Sequence, residues 1–181
     1  MIFFVAKIGV CGCAGVTGWV HVPVFDVNEQ GDIMPRVILT EQPVYFHEFH
    51  VVIKSEHINF AGHLDNGSVI FFAGQAREAM LKDMGFSEGD LGSAGVGIII
   101  AEITVNFRSE GFLDEVLLIE SGIGEISGRG FRFFHRICRG DRLIALAETG
   151  AAAFDYSTRK PVPVPEKFVK KIAEAGAFTE M

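Results

Sequence analysis

Between Val69 and Met84 the apolar residues Val69, Phe72, Ala73, Ala76, Met80 and Met84 recur at steps of three and four. That spacing is the stripe of an amphipathic helix, and it fixes how the rest of the chain must be read. Asp65 or Asn66 suits the N-cap and Gly85 the stop, giving a helix of about 18 residues, or roughly 27 Å at ~1.5 Å per residue. Ahead of it, Val44–Lys54 alternates like a strand, followed by a polar, glycine-containing loop from His57 to Asn66. Behind it, the segments Val96–Arg108, Leu113–Glu125, Phe131–Cys138 and Leu143–Phe154 are rich in β-branched and aromatic residues. Turns at Ser109-Glu110-Gly111, Ser127–Gly130 and Arg139-Gly140-Asp141 separate them. One strand, one long helix and four strands joined by tight turns predict an α+β domain, an antiparallel sheet of about five strands wrapped on one helix.

Other segments set the limits of this domain. Pro161, Pro163 and Pro165 end the sheet, and a short helix is expected over 166–175. The first part of the chain reads differently. Gly9, Gly12, Gly15 and Gly18 superficially suggest a dinucleotide loop, but the β-branched, proline-containing run Trp19–Phe25 follows where a helix must start. The dinucleotide reading is therefore set aside. Residues 1–43 are read as an N-terminal extension: an arm, a hairpin, or sequence ahead of a start at Met34. The domain is expected over 44–168, with a tail over 169–181.

Composition excludes several functions. The formal charge is −7, without a basic stripe, so nucleic acid is not an expected partner. No run of 18 apolar residues occurs, so no membrane span is expected, and a signal peptide is not expected either. Cys11 and Cys13 are too close for an ordinary disulfide and lack zinc spacing, so reduced thiols, no metal and a cytoplasmic location are expected. Seventeen Phe residues suit a large core or a site for something oily.

The loop His57-Ile58-Asn59-Phe60-Ala61-Gly62-His63-Leu64-Asp65-Asn66, followed by a helix carrying Ala76-Arg77-Glu78, resembles the acyl-CoA and acyl-ACP thioesterases of the hotdog superfamily. The tail from Gly150 through Phe154-Asp155 to Arg159-Lys160-Pro161-Val162-Pro163-Val164-Pro165 resembles the ending of these proteins. The resemblance covers roughly residues 44–168. It implies a hotdog fold, hydrolysis of an acyl thioester carried on CoA or on an acyl carrier protein, no cofactor, and a homodimer or homotetramer with sites between subunits. The loop and the helix each depart from the pattern: His57 and Asn59 stand where the family commonly has acids, though acyl-ACP-type relatives carry Asn at the second, and Gly74-Gln75 precede the Ala-Arg pair where many relatives have another acid.

Thioester hydrolysis needs hydrogen-bond donors for the oxyanion and a group that activates water. A helix beginning near Asn66 aims backbone N–H groups into the loop, and Gly62 permits close backbone approach. Asn59 and His63 are the leading side chains, the first to orient water or polarise the carbonyl, the second as base. Asp65 and Glu78 are the candidate acids, and Gln75 shares the helix face of Glu78. Each has a structural alternative: a bond to the loop backbone for His63, a turn for Asn59, a cap for Asp65, and an i, i+4 pair with Lys82 for Glu78. For the CoA phosphates, Arg132 and Arg136 share one face of a strand, with Arg108 and Arg129 nearby in sequence. Two other functions compete. A hotdog enoyl-thioester hydratase or dehydratase would pair His63 with Glu78, and a non-catalytic acyl-binding protein would explain the missing acids.

Overall fold

The computed structural model describes residues 26–27, 33–34 and 37–176. The glycine-rich stretch and Cys11 and Cys13 lie outside them. Two units are distinguished, residues 1–36 and 37–181. In the first, β1 (Asp26–Val27) pairs antiparallel with β2 (Ile33–Met34).

The second unit is one antiparallel sheet with a helix laid on it. The strands are β3 (His47–Val52), β4 (Val96–Phe107), β5 (Val116–Ser127), β6 (Gly130–Arg139) and β7 (Arg142–Asp155). Their order across the sheet is β3-β5-β6-β7-β4, and the short β8 (Lys160–Pro161) adds to β7. The fold class expected from sequence holds, with β8 as a sixth strand. Helix α1 (Asn66–Asp83) lies within a residue or two of its expected bounds. Its buried residues Val69, Phe72, Ala73, Ala76 and Met80 are the stripe read from the sequence.

The core sits between α1 and the sheet in two clusters. One gathers Val69, Phe72, Leu117, Ile119 and Ile137; the other joins Met80, Leu91, Phe131 and Phe133 to Phe168 and Ile172 of α2 (Glu166–Glu174). Fully burying one such side chain is worth about 1.5–3 kcal/mol, so α2 is held as core. Ile172 lies beyond the boundary drawn at residue 168 and is fully buried.

The segment just before β3 is also bound to the sheet. The Leu39 N–H donates to Asn106 Oδ1 at 2.7 Å, Arg108 Nη2 donates to the Leu39 carbonyl at 3.0 Å, and Glu41 meets Arg136. Leu39 is buried although it falls within the extension expected over residues 1–43. This strap runs over the sheet face opposite α1, the face to which Arg132 and Arg136 point.

Candidate active site

The loop leading into α1 is a small closed structure. Ile58 and Leu64 form an antiparallel bridge, the Asn59 N–H donates to the His63 carbonyl at 2.9 Å, and the Gly62 N–H donates to the Asn59 carbonyl at 3.0 Å. Gly62 closes this turn at φ +83°, a left-handed conformation that glycine adopts without steric cost. The Leu64 N–H donates to the Gly111 carbonyl at 2.8 Å, which ties the loop to the turn after β4. A Cβ at Gly111 would come within 3.0 Å of Ile53 Cδ1 and 3.3 Å of Leu64 Cβ, so a larger residue would fit there only with a small shift of these side chains. Asp65 accepts from the Gly67 N–H at 2.8 Å and caps α1.

Where these two loops meet, a cavity of about 460 Å³ opens. Four of the expected site residues line it: Asn59, His63, Asn66 and Arg108. Asn66, the first residue of α1, is on its wall, while the Gly67 N–H is taken by the Asp65 carboxylate and the Val69 N–H by the Asp65 carbonyl. Val69, Phe107 and Ile144 supply an apolar side. Ser109 and Glu110 complete it, and neither was singled out from sequence, where they read only as a turn.

The polar network is specific. The Ala61 N–H donates to Asn59 Oδ1 at 2.9 Å, so the amide nitrogen of Asn59 is turned toward His63 Nδ1, 3.3 Å away. The same Nδ1 lies 3.2 Å from the Leu64 carbonyl. The neutral ring therefore has a partner in either tautomer: it accepts from Asn59 or donates to Leu64. In both cases Nε2 is left to the cavity, where Glu110 Oε1 stands 3.9 Å away. His63 is one-third exposed and Glu110 nearly two-thirds, so both can reach solvent and ligand.

The remaining expected residues are not brought here. Asp65 is occupied as the cap. Gln75 and Glu78 lie further along α1, Glu78 at about 18 Å from Asn66 by helical rise. Arg129 is exposed in the turn between β5 and β6. Arg132 and Arg136 sit on the opposite face of the sheet and are matched by carboxylates. Arg132 meets Glu148 at 2.6 Å, Glu102 at 3.1 Å and Glu125 at 3.2 Å. Partial burial works against its charge, but these carboxylates outweigh it and raise its pKa. Arg136 is held by Glu120, and by Glu41 at 2.7 Å; its bond to Glu120 likewise raises its pKa. Arg108 alone of the four arginines lines the cavity.

The wrapped sheet with its helix defines a hotdog domain, and the cavity at the loop–helix junction is its candidate site. Comparison with known proteins agrees. The profile of the thioesterase-like superfamily matches residues 53–172, and the chain belongs to that superfamily. It is similar to the acyl-CoA thioester hydrolase YbgC of Escherichia coli, 26% identical over 125 residues, which are 68% of this chain and 93% of that protein. It is also similar to the acyl-CoA thioesterase YbgC of Haemophilus influenzae, 22% identical over 66% of this chain and 88% of the relative. Among solved structures, the 1,4-dihydroxy-2-naphthoyl-CoA thioesterase of Synechocystis superposes with a TM-score of 0.64, at 18% identity over 71% of this chain and 96% of the other. A gentisyl-coenzyme A thioesterase superposes at 0.62, with 19% identity over 69% and 98%. At these identities the structural likeness establishes the fold.

Proposed function

We propose that this chain hydrolyses acyl-CoA thioesters at the cavity between the His57–Asn66 loop and the turn after β4. The observation that carries the reading is the convergence of His63 Nε2, Asn59 and the first turn of α1 on one cavity with an apolar side. Membership of the thioesterase-like superfamily and the YbgC relatives support it. The backbone N–H of Asn66, at the head of α1, would receive the oxyanion as the carbonyl becomes tetrahedral, and His63 would present Nε2 to the attacking water. Of the four expected arginines Arg108 lines the cavity, but its guanidinium is engaged by the Leu39 carbonyl and Asn106, so the group that meets the carrier, CoA or the phosphopantetheine of a carrier protein, is not assigned to it.

The functional unit is a dimer of this chain. Among the described residues β4 pairs only with β7, leaving its other edge open for a partner strand. Ile100, Ile103 and Phe107 of β4 face the α1 side of the sheet, since they pair with Ala151, Thr149 and Ala145, yet each is more than a third exposed. A second copy paired through β4 would cover them and bring its own α1 face, with Gln75 and Glu78, toward the cavity.

The test is release of free thiol from a panel of acyl-CoAs differing in chain length and aromatic character, run beside hydration of an enoyl-CoA. Thiol release with at least one acyl-CoA and no hydration is the expected result. Hydration without thiol release would make the chain a lyase, and neither reaction would leave it an acyl-binding protein.

A further inference from the structure

At the family's acidic positions the loop carries Asn59 and α1 carries Gly74 and Gln75 before its Ala-Arg pair, and within one protomer neither Asp65 nor Glu78 lines the cavity. Glu110 is the carboxylate among its lining residues. We propose that Glu110 is a catalytic residue, the base that removes a proton from the hydrolytic water while His63 holds that water's oxygen. The proposal rests on the hydrolase reading above and deepens it.

The geometry points to this division of labour. The Asn59 amide is oriented by the Ala61 N–H, so it can only donate toward His63 Nδ1. In the tautomer that accepts this bond, the ring proton is on Nε2, which lies 3.9 Å from Glu110 Oε1. Two groups at that separation are too far apart for a direct hydrogen bond, but each reaches a shared water at about 2.8 Å. Such a water accepts from Nε2–H and donates to Glu110, which leaves one lone pair of its oxygen free. The backbone that carries Glu110 is anchored on both sides. The Ser109 hydroxyl donates to the Leu143 carbonyl at 2.6 Å, and the Arg108 N–H to the Ile144 carbonyl at 2.8 Å, which anchors the turn on β7. The Leu64–Gly111 bond sets the loop against that turn.

The step balances without a further reactant. The water oxygen bonds to the thioester carbonyl carbon as one water proton passes to the Glu110 carboxylate, and the carbonyl oxygen becomes an anion at the N-terminus of α1. As the C=O bond reforms, the C–S bond breaks with its electron pair going to sulfur. The proton on Glu110 then passes to the sulfur, giving one carboxylic acid and one thiol and restoring the carboxylate. General-base catalysis of this kind contributes about 10²–10⁴ in rate.

The experiment measures kcat, KM and melting temperature for wild type, Glu110→Gln and Glu110→Ala with an acyl-CoA that the wild type hydrolyses. The expected result is a loss of about 10²-fold or more in kcat for both variants, with KM within a few-fold and the melting temperature unchanged. Added formate should restore part of the Glu110→Ala rate and none of the Glu110→Gln rate, a response that a merely structural glutamate would not give. Turnover within about three-fold of wild type in Glu110→Gln would overturn the role of Glu110 and leave the hydrolase reading standing. An absence of thiol release by the wild type itself would overturn both.

Discussion

Two histidines in this chain are each bonded through Nδ1, yet their surroundings give them opposite capacities. His63 takes its bonds from a loop and leaves Nε2 open to a cavity beside a carboxylate. His135 is fully enclosed between α1 and the sheet, with Nδ1 on the Ser121 hydroxyl at 2.8 Å and no partner for Nε2. Burial, helped by the nearby charges of Arg77 and His47, pushes the His135 pKa down to about 3, so the ring stays neutral in the fold. A serine 2.8 Å from a histidine is the arrangement of a nucleophile and its base, but neither side chain can be reached by a substrate. The lesson is that access decides function: the exposed pair can do chemistry, and the buried pair sets a condition on stability.

The comparison is tested most severely at the loop. His63→Ala and Asn59→Ala should each lower kcat by about 10²–10³, with melting temperatures near that of wild type and KM nearly unchanged. Turnover near normal with a lowered melting temperature would make the loop a purely structural turn.

A smaller effect is expected from the buried histidine. In the unfolded chain an imidazole titrates at about 6.5. Between that pH and about 3 the unfolded state binds a proton that the folded state refuses, so stability falls as pH falls through this window. His135→Gln removes that linkage. From pH 6.5 to 5 the variant should lose about 1.5 kcal/mol less stability than wild type in urea unfolding. Parallel losses in the two proteins would show that His135 is not the group responsible. Turnover per folded molecule should not change.

Much of the fold was legible because its signals are local. The stripe from Val69 to Met84 and the cap at Asp65 fixed α1 within a residue or two, and alternation placed Phe133, His135 and Ile137 on one face of β6. Asn59 and His63 could be chosen because they stand at motif positions of a loop that resembles the thioesterase loop ahead of a helix N-terminus, and both line the cavity. The sequence could not show what lies across a strand pair. Arg132 and Arg136 share a face as expected, but their carboxylates come from β4, β5, β7 and the strap, and only the sheet register brings them together. Glu110 was missed for the same reason. It sits in a Ser-Glu-Gly turn that looks like a connection, and a single long-range bond from Leu64 to Gly111 makes it part of the site. The strap from Val37 to Gln42 has no regular pattern of its own and is held by Asn106 and Arg108 from a distant strand.

The central claim is that the acyl thioester is held at the head of α1, and a crystal structure with a non-hydrolysable thioether analogue of an acyl-CoA tests it most directly. The account predicts the acyl group in the cavity against Val69, Phe107 and Ile144. It predicts the sulfur end beside His63 and Glu110. An analogue lying along Arg132 and Arg136 on the far face of the sheet, with the cavity unaltered, would contradict it.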